Sequence, residues 1–147
     1  MRKVELRAWD NLKKEMFYDG DKYDKREHAG ECLITNKGIY YWLHETRLKN
    51  ATDRHFDLSR LILSPEIILM EYTGIIDKDG IKIFEGDILL AVDMYGGFYG
   101  EVKFWNDRWV LCFKNKITES EQNQSMMTVL DSKVIGNIYK NPELLTP

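Results

Sequence analysis

The sequence predicts a mainly β fold with a minor α contribution, and two stretches carry that prediction. The first is Glu71–Leu90, EYTGIIDKDGIKIFEGDILL, in which short apolar runs are separated by two turn signals. The second is Glu101–Phe113, EVKFWNDRWVLCF, where two strand-like runs flank an Asn-Asp pair. Short runs rich in Val, Ile, Phe, Tyr and Trp, bounded by Gly, Asn or Asp, are the pattern that pleated, half-buried backbone selects.

In chain order, Val4–Trp9 sets Val4, Leu6 and Ala8 against Glu5, Arg7 and Trp9, the alternation of a half-buried first strand. Asp10–Lys14 is polar and turn-like, and Glu15–Tyr18 returns as a short strand. Asp19–Glu31 is densely charged, contains Gly20 and Gly30, and is expected to be an exposed loop. Glu31–Thr35 and Gly38–His44 read as a hairpin around Asn36-Lys37-Gly38, where Asn and Gly tolerate turn geometry. Glu45–Asp57 is polar, with Asn50 and Asp53 as breakers and room for a helix over part of it. Pro65 ends whatever precedes it. Ile67–Met70 then runs as an apolar lead into the next segment and is expected inside.

Tyr72–Ile76 and Ile81–Phe84 are hairpin partners across Asp77-Lys78-Asp79-Gly80. Gly80 and Gly86 stand where positive φ is needed, which only Gly adopts without strain. After Glu85-Gly86-Asp87 comes the strand Ile88–Val92, and Asp93–Gly100, DMYGGFYG, reads as a glycine-rich loop. Glu101–Trp105 and Arg108–Phe113 pair across Asn106-Asp107, the clearest hairpin of the chain. Lys114–Gln124 is polar and expected to be an exposed insertion, and Val134–Ile138 is a last strand. Asn141 caps and Pro142 starts one helical turn, with Leu144 and Leu145 docking back. Residues 70–147 thus give about five short, strongly bent strands, which close as a small SH3-like barrel more readily than as a sandwich. A smaller β-rich region with charged loops, residues 1–69, precedes it.

Composition bounds the function classes. With 147 residues, 44% of them hydrophobic and 12% aromatic, the chain is long and apolar enough to bury a core and is not a disordered tail. No run approaches the roughly 18 apolar residues that a membrane helix needs. The start, MRKVELRAWDNL, has no apolar core of a signal peptide, so secretion is not expected, and no membrane partner is expected either. Cys32 and Cys112 are too few for a disulfide framework and read as reduced thiols of a cytoplasmic protein. Residues 1–69 carry 13 Lys/Arg against 12 Asp/Glu, and residues 70–147 carry 8 against 12. The half with the clearest strands is therefore acidic, which disfavours nonspecific phosphate binding.

Constellations that could carry chemistry are few. Asp77, Asp79, Glu85 and Asp87 put four carboxylates within eleven residues, yet they lack the register of a calcium loop. They read as turn-formers whose oxygens accept backbone N–H bonds, Asp87 included. His44-Glu45 opens like a zinc-protease helix, but Leu48 stands where the second imidazole must be, and His28 and His55 have no near ligand partner. No Gly-x-Ser-x-Gly run and no phosphate-cradling glycine loop occurs, and Cys32 and Cys112 sit in apolar runs as small hydrophobes. No catalytic residue, metal or cofactor is expected. The best candidate binding surface is aromatic: Tyr95, Phe98 and Tyr99 on the glycine-rich loop, extended by Trp105 and Trp109 on the following hairpin. The bland alternative is that these rings cover the open ends of a small barrel.

Three blocks in order carry a family resemblance. They are Arg7-Ala8-Trp9-Asp10 with Met16; Tyr72-Thr73-Gly74, Asp77-Lys78-Asp79-Gly80, Ile83 and Glu85-Gly86-Asp87-Ile88; and Val134-Ile135-Gly136-Asn137-Ile138-Tyr139 with Asn141-Pro142-Glu143-Leu144-Leu145. In these the chain resembles the YopX family, small proteins encoded mostly by bacteriophages and prophages. The blocks frame nearly the whole chain, and residues 19–69 and 114–131 are guided least. The resemblance implies an SH3-like barrel in the C-terminal half, a bacterial host cytoplasm, and no known activity or catalytic residues. The expectation is a noncatalytic phage or prophage accessory protein whose barrel contacts a phage or host protein or self-associates as a homo-oligomer. The alternative is a nucleic-acid-binding small-barrel module using Lys103, Arg108, Lys114 and Lys116 beside the Trp105/Trp109 hairpin, which rests on fold-level analogy. A metal-assisted hydrolase built on the Asp77–Asp87 carboxylates comes last.

Overall fold

Strand-forming runs and tight turns pair as antiparallel ladders in the computed structural model, which describes residues 4–11, 14–19, 22–25, 28–35, 38–44, 61–62, 67–93, 96–114, 120–126 and 131–146. The chain is mainly β and divides into two compact units, Met1–Met70 and Glu71–Pro147.

In the first unit, β1 (Leu6–Asp10) pairs antiparallel with β2 (Glu15–Tyr18), Ala8 facing Phe17. The turn between them is held by the Lys14 N–H donating to the Asp10 carbonyl at 2.8 Å. β1 is not half-buried as its alternation suggests: Arg7, Ala8, Trp9 and Asp10 are all buried. Ala8 packs with Ile34, Leu6, Phe17, Ile67 and Leu69. On the other side, the long aliphatic stem of Arg7 and the ring of Trp9 carry enough apolar surface to be covered too. The Arg7 guanidinium donates to Met70 Sδ at 3.6 Å.

A second sheet of this unit runs in the order β3 (Lys22–Lys25), β4 (His28–Thr35), β5 (Gly38–His44), β6 (Leu61–Ile62). The hairpin β4–β5 stands where the sequence puts one. The charged stretch 19–31, expected to be a loop, instead supplies β3 and the start of β4, with Lys22 in register with Glu31 and Asp24 with Ala29. The ladder is made of main-chain bonds, and charge on alternate positions does not prevent it. The segment 45–57, with its weak helix signal, lies outside the described residues.

β7 (Ile67–Ile76) runs across the division between the units, and Met70 within it is buried. In the second unit the end of β7 pairs with β8 (Lys82–Phe84). A five-stranded antiparallel sheet follows, ordered β12 (Glu121–Ser125), β11 (Arg108–Lys114), β10 (Gly96–Trp105), β9 (Asp87–Asp93), β13 (Lys133–Asn137). It curls into a half-barrel. Ile83, Leu89, Ala91, Val102, Leu111 and Met126 fill its core, with Ile75, Phe98, Trp109 and Val134 packed around them. No helix among the described residues is long and apolar enough to cross a membrane.

Three expectations are corrected here. Gly96–Gly100 belongs to β10, in register with β9 from Gly96↔Asp93 to Gly100↔Leu89, so Phe98 and Tyr99 stand on a strand and not on a loop. The glycines misled because Gly100 is there for space: a Cβ on it would lie 2.6 Å from Leu111 Cγ and 2.9 Å from the Cys112 carbonyl oxygen. The polar run Lys114–Gln124, expected to be an exposed insertion, holds most of β12, an edge strand whose residues lack an apolar alternation because most of them face water. At the end of the chain, Pro142–Leu145 forms a 3-10 turn without a side-chain cap from Asn141. The Asn141 amide oxygen instead accepts from the Asn137 N–H at 3.4 Å, and of the two leucines Leu145 remains exposed.

Replacing Gly100 with Ala should therefore destabilise the second unit by about 1–3 kcal/mol, because a core side chain and a carbonyl must both shift. Gly97→Ala, whose Cβ would meet Leu90 at an ordinary 3.4 Å, should change stability by less than about 0.5 kcal/mol. Urea unfolding of the two variants measures the difference, and equal midpoints would contradict the packing argument.

Candidate functional site

Two of the four carboxylates of the 77–87 segment, Asp77 and Asp87, brace the backbone. Asp77 is buried at the end of β7, and its Oδ1 accepts the N–H groups of Asp79 and Ile81, both at 2.8 Å. Its Oδ2 accepts the N–H of Val134 on β13 at 3.0 Å. Asp87 Oδ2 accepts the Phe84 N–H at 2.8 Å across the sharp bend between β8 and β9. Gly80 and Gly86 take positive φ, 81° and 79°, as these turns demand. Burial pushes the Asp77 carboxyl up, but the amides of Val134, Ile81 and Asp79 and the charge of Lys133 outweigh it and hold the pKa below the ordinary value. With its oxygens engaged by main-chain donors, Asp77 acts as a brace between its turn and β13. Asp79 forms only an exposed ion pair with Lys133, at 3.5 Å, which contributes little.

The aromatic candidates divide between the two faces of β10 and β11. Phe98 and Trp109 are half-buried and pack against the core. Phe98 also tilts against Phe113, with centroids 4.5 Å apart. Tyr99 and Trp105 point the other way, and are 51% and 55% exposed. Tyr95 lies outside the described residues, as does Lys116. His55 lies outside them too, and so do the side chains of Cys32, His28 and His44.

Sequence reasoning missed Phe104. The alternation of β10 put it in the inward row with Val102, but the strand outruns the core, so Phe104 overhangs it at 56% exposure. It meets Trp109 edge-on with centroids 5.0 Å apart. Beyond it, Trp105 and Arg108 are the last register pair, closed by Asn106 (φ 49°) and Asp107 (φ 59°). Both left-handed values fit a type I′ turn, whose twist matches the flanking strands, and Asn and Asp are the non-glycine residues that tolerate it best. The result is a tight hairpin tip that presents Phe104 on one face and Trp105 on the other.

Between Tyr99 and Trp105, on the same outward row, stand Glu101 and Lys103, ion-paired at 3.2 Å. Burial would lower the Lys103 ammonium, but the Glu101 hydrogen bond and charge leave its pKa above the ordinary value. Cys112, in register with Glu101, is a free, half-buried thiol on this row rather than a core residue, and burial pushes its pKa up. Glu85 is raised as well, by burial and then by the charges of Glu71 and Glu101.

A curled antiparallel sheet, turns braced by buried acids and an exposed aromatic hairpin define the class as a small two-unit β protein. The sequence model of the YopX protein family matches residues 5–146, so the chain belongs to the YopX family. The crystal structure of protein EF1440 from Enterococcus faecalis is similar over 99% of each chain, with a TM-score of 0.54 and 23% identity, which shows a shared fold. The crystal structure of protein YopX from Bacillus subtilis aligns over 99% of each chain with a TM-score of 0.49 and 19% identity. No curated protein sequence matches the chain.

Because the folded Asp77 pKa lies below the unfolded value of about 3.9, its stabilisation is complete above that value and fades as pH falls through the folded one. Asp77→Asn keeps an oxygen for Asp79 and Ile81 but sets an NH₂ against the Val134 N–H. It should cost about 1–3 kcal/mol at pH 7 and lose less stability than the parent between about pH 5 and pH 2. Denaturant midpoints across that range measure it, and parallel acid limbs would refute the assignment.

Proposed function

We propose that this YopX-family chain is a noncatalytic protein-interaction module, a phage or prophage accessory protein working in the cytoplasm of a bacterial host. The observation that carries the reading is the hairpin tip: two large rings, each more than half exposed, at the end of a strand closed by a tight two-residue turn. Aromatic side chains bring large contact area at low entropic cost, and on a rigid support little further ordering is lost on binding. The family membership supports the accessory role. Nucleic-acid binding has less support, since Lys103 is engaged by Glu101 and the surrounding unit is acidic.

Phe104→Ala and Trp105→Ala should each weaken capture of a host or phage protein by tenfold or more, on the order of the 2 kcal/mol typical of a hot spot, with unchanged thermal melting. Affinity capture from infected-cell lysate, quantified for parent and variants side by side, tests this. Equal retention by all three chains would remove the hairpin from the interaction.

A further inference from the structure

The five-stranded sheet of the second unit ends, on the side away from β13, in β12. Five consecutive residues of β12 pair with β11, from Val110↔Ser125 to Lys114↔Glu121, without a bulge. On its other side no strand is paired with it among the described residues. Glu121, Gln122 and Asn123 are all exposed. Successive side chains of a strand point to opposite faces, so water reaches this edge from both faces. Edge strands are ordinarily guarded against further pairing by lysine, proline or a bulge. The sequence EQNQS contains neither residue, and its single charge, Glu121, stands at one end. An edge that is regular, open and uncharged at its centre is a template for one more strand.

We propose that the added strand is β12 of a second copy, running antiparallel about a twofold axis perpendicular to the sheet at Asn123. The order of the residues specifies this occupant. With Asn123 opposite its own copy, Gln122 faces Gln124 and Glu121 faces Ser125, each pairing made twice. A side-chain amide carries both donors and an acceptor, so Asn–Asn and Gln–Gln pairs satisfy one another, and a carboxylate accepts from a hydroxyl. The two Glu121 carboxylates lie at opposite ends, roughly 14 Å apart along the strands. Moving the axis by one residue either way leaves two of the five residues without a strand partner. Main-chain bonds then supply the affinity and the side-chain pairs fix the register. A twofold pair of this kind uses up the edge on both copies and closes on itself. It uses neither Phe104 nor Trp105, so it stands or falls apart from the hairpin tip.

Sedimentation velocity on the full chain tests the pairing up to about 500 μM, because a single strand pair is a small interface at the weak end of the range. The parent should reach twice its 17.4 kDa mass. Since Asn123 faces its own copy, Asn123→Lys sets ammonium against ammonium, and Asn123→Asp sets carboxylate against carboxylate. Each variant alone should dimerise about tenfold more weakly or worse. Their equimolar mixture pairs lysine with aspartate and should recover the parent's association to within about threefold. Asn123 is exposed, so thermal melts of both variants should match the parent's. In the parent itself, with no substitution, amide exchange over Glu121–Ser125 should slow as concentration rises through the dimerisation range. A parent that stays at 17.4 kDa overturns the dimer while leaving the hairpin to its own capture experiment. A dimer indifferent to both substitutions, a mixture that fails to recover, or β12 amides whose exchange ignores concentration overturns this edge as its site.

Discussion

The second unit depends on one buried carboxylate. Asp77 sits where β7 ends, and its two oxygens gather three main-chain N–H groups, two from its own turn and one from Val134, 57 residues on. A neighbouring link runs the same way, the Lys78 N–H donating to the Ser132 carbonyl at 3.1 Å. A charge taken out of water is costly unless its hydrogen-bonding capacity is met. Here the donors come from the backbone itself, so the charge both satisfies and is satisfied. The turn, the β8 return and the edge strand β13 are thereby held in one relation, on which the curl of the sheet over Ile83, Leu89 and Val102 is built.

How much of this is legible in the sequence follows from what each signal measures. Hairpins joined by a two-residue or glycine-bearing turn, β7–β8 and β10–β11, stand where the alternation puts them, because turn chemistry and apolar period agree there. The failures occur where composition was read in place of backbone pairing. The charged β3 and the polar edge β12 carry no apolar alternation, since a ladder needs only main-chain donors and acceptors. Gly96 to Gly100 looked like a loop because a sequence does not distinguish a glycine that supplies flexibility from one that makes room for Leu111. Arg7 looked like the wet side of a strand because its charge hides an apolar stem.

The candidate site was partly legible for the same reason. The count of aromatics pointed to the right hairpin, but period-two alternation alone does not say where the core ends. Phe98 and Trp109 fall over Leu89, Ala91 and Leu111 and pack there, whereas Phe104, on the same face, projects past them.

The register of β13 with β9, Val134 against Leu89 and Lys133 against Leu90, has a consequence for the order of assembly. The hairpins β9–β10, β10–β11 and β11–β12 each close between neighbours in the chain, with small loops and little entropy lost. The β9–β13 ladder has to span all of them, so its closure is entropically the hardest and gains most from strands already in place. On a ribosome the meander can form first, with one side of β9 unpaired until Lys133–Asn137 emerges. During that interval the open side of β9 is an unpaired strand edge, and the arrival of the last strand is what seals it.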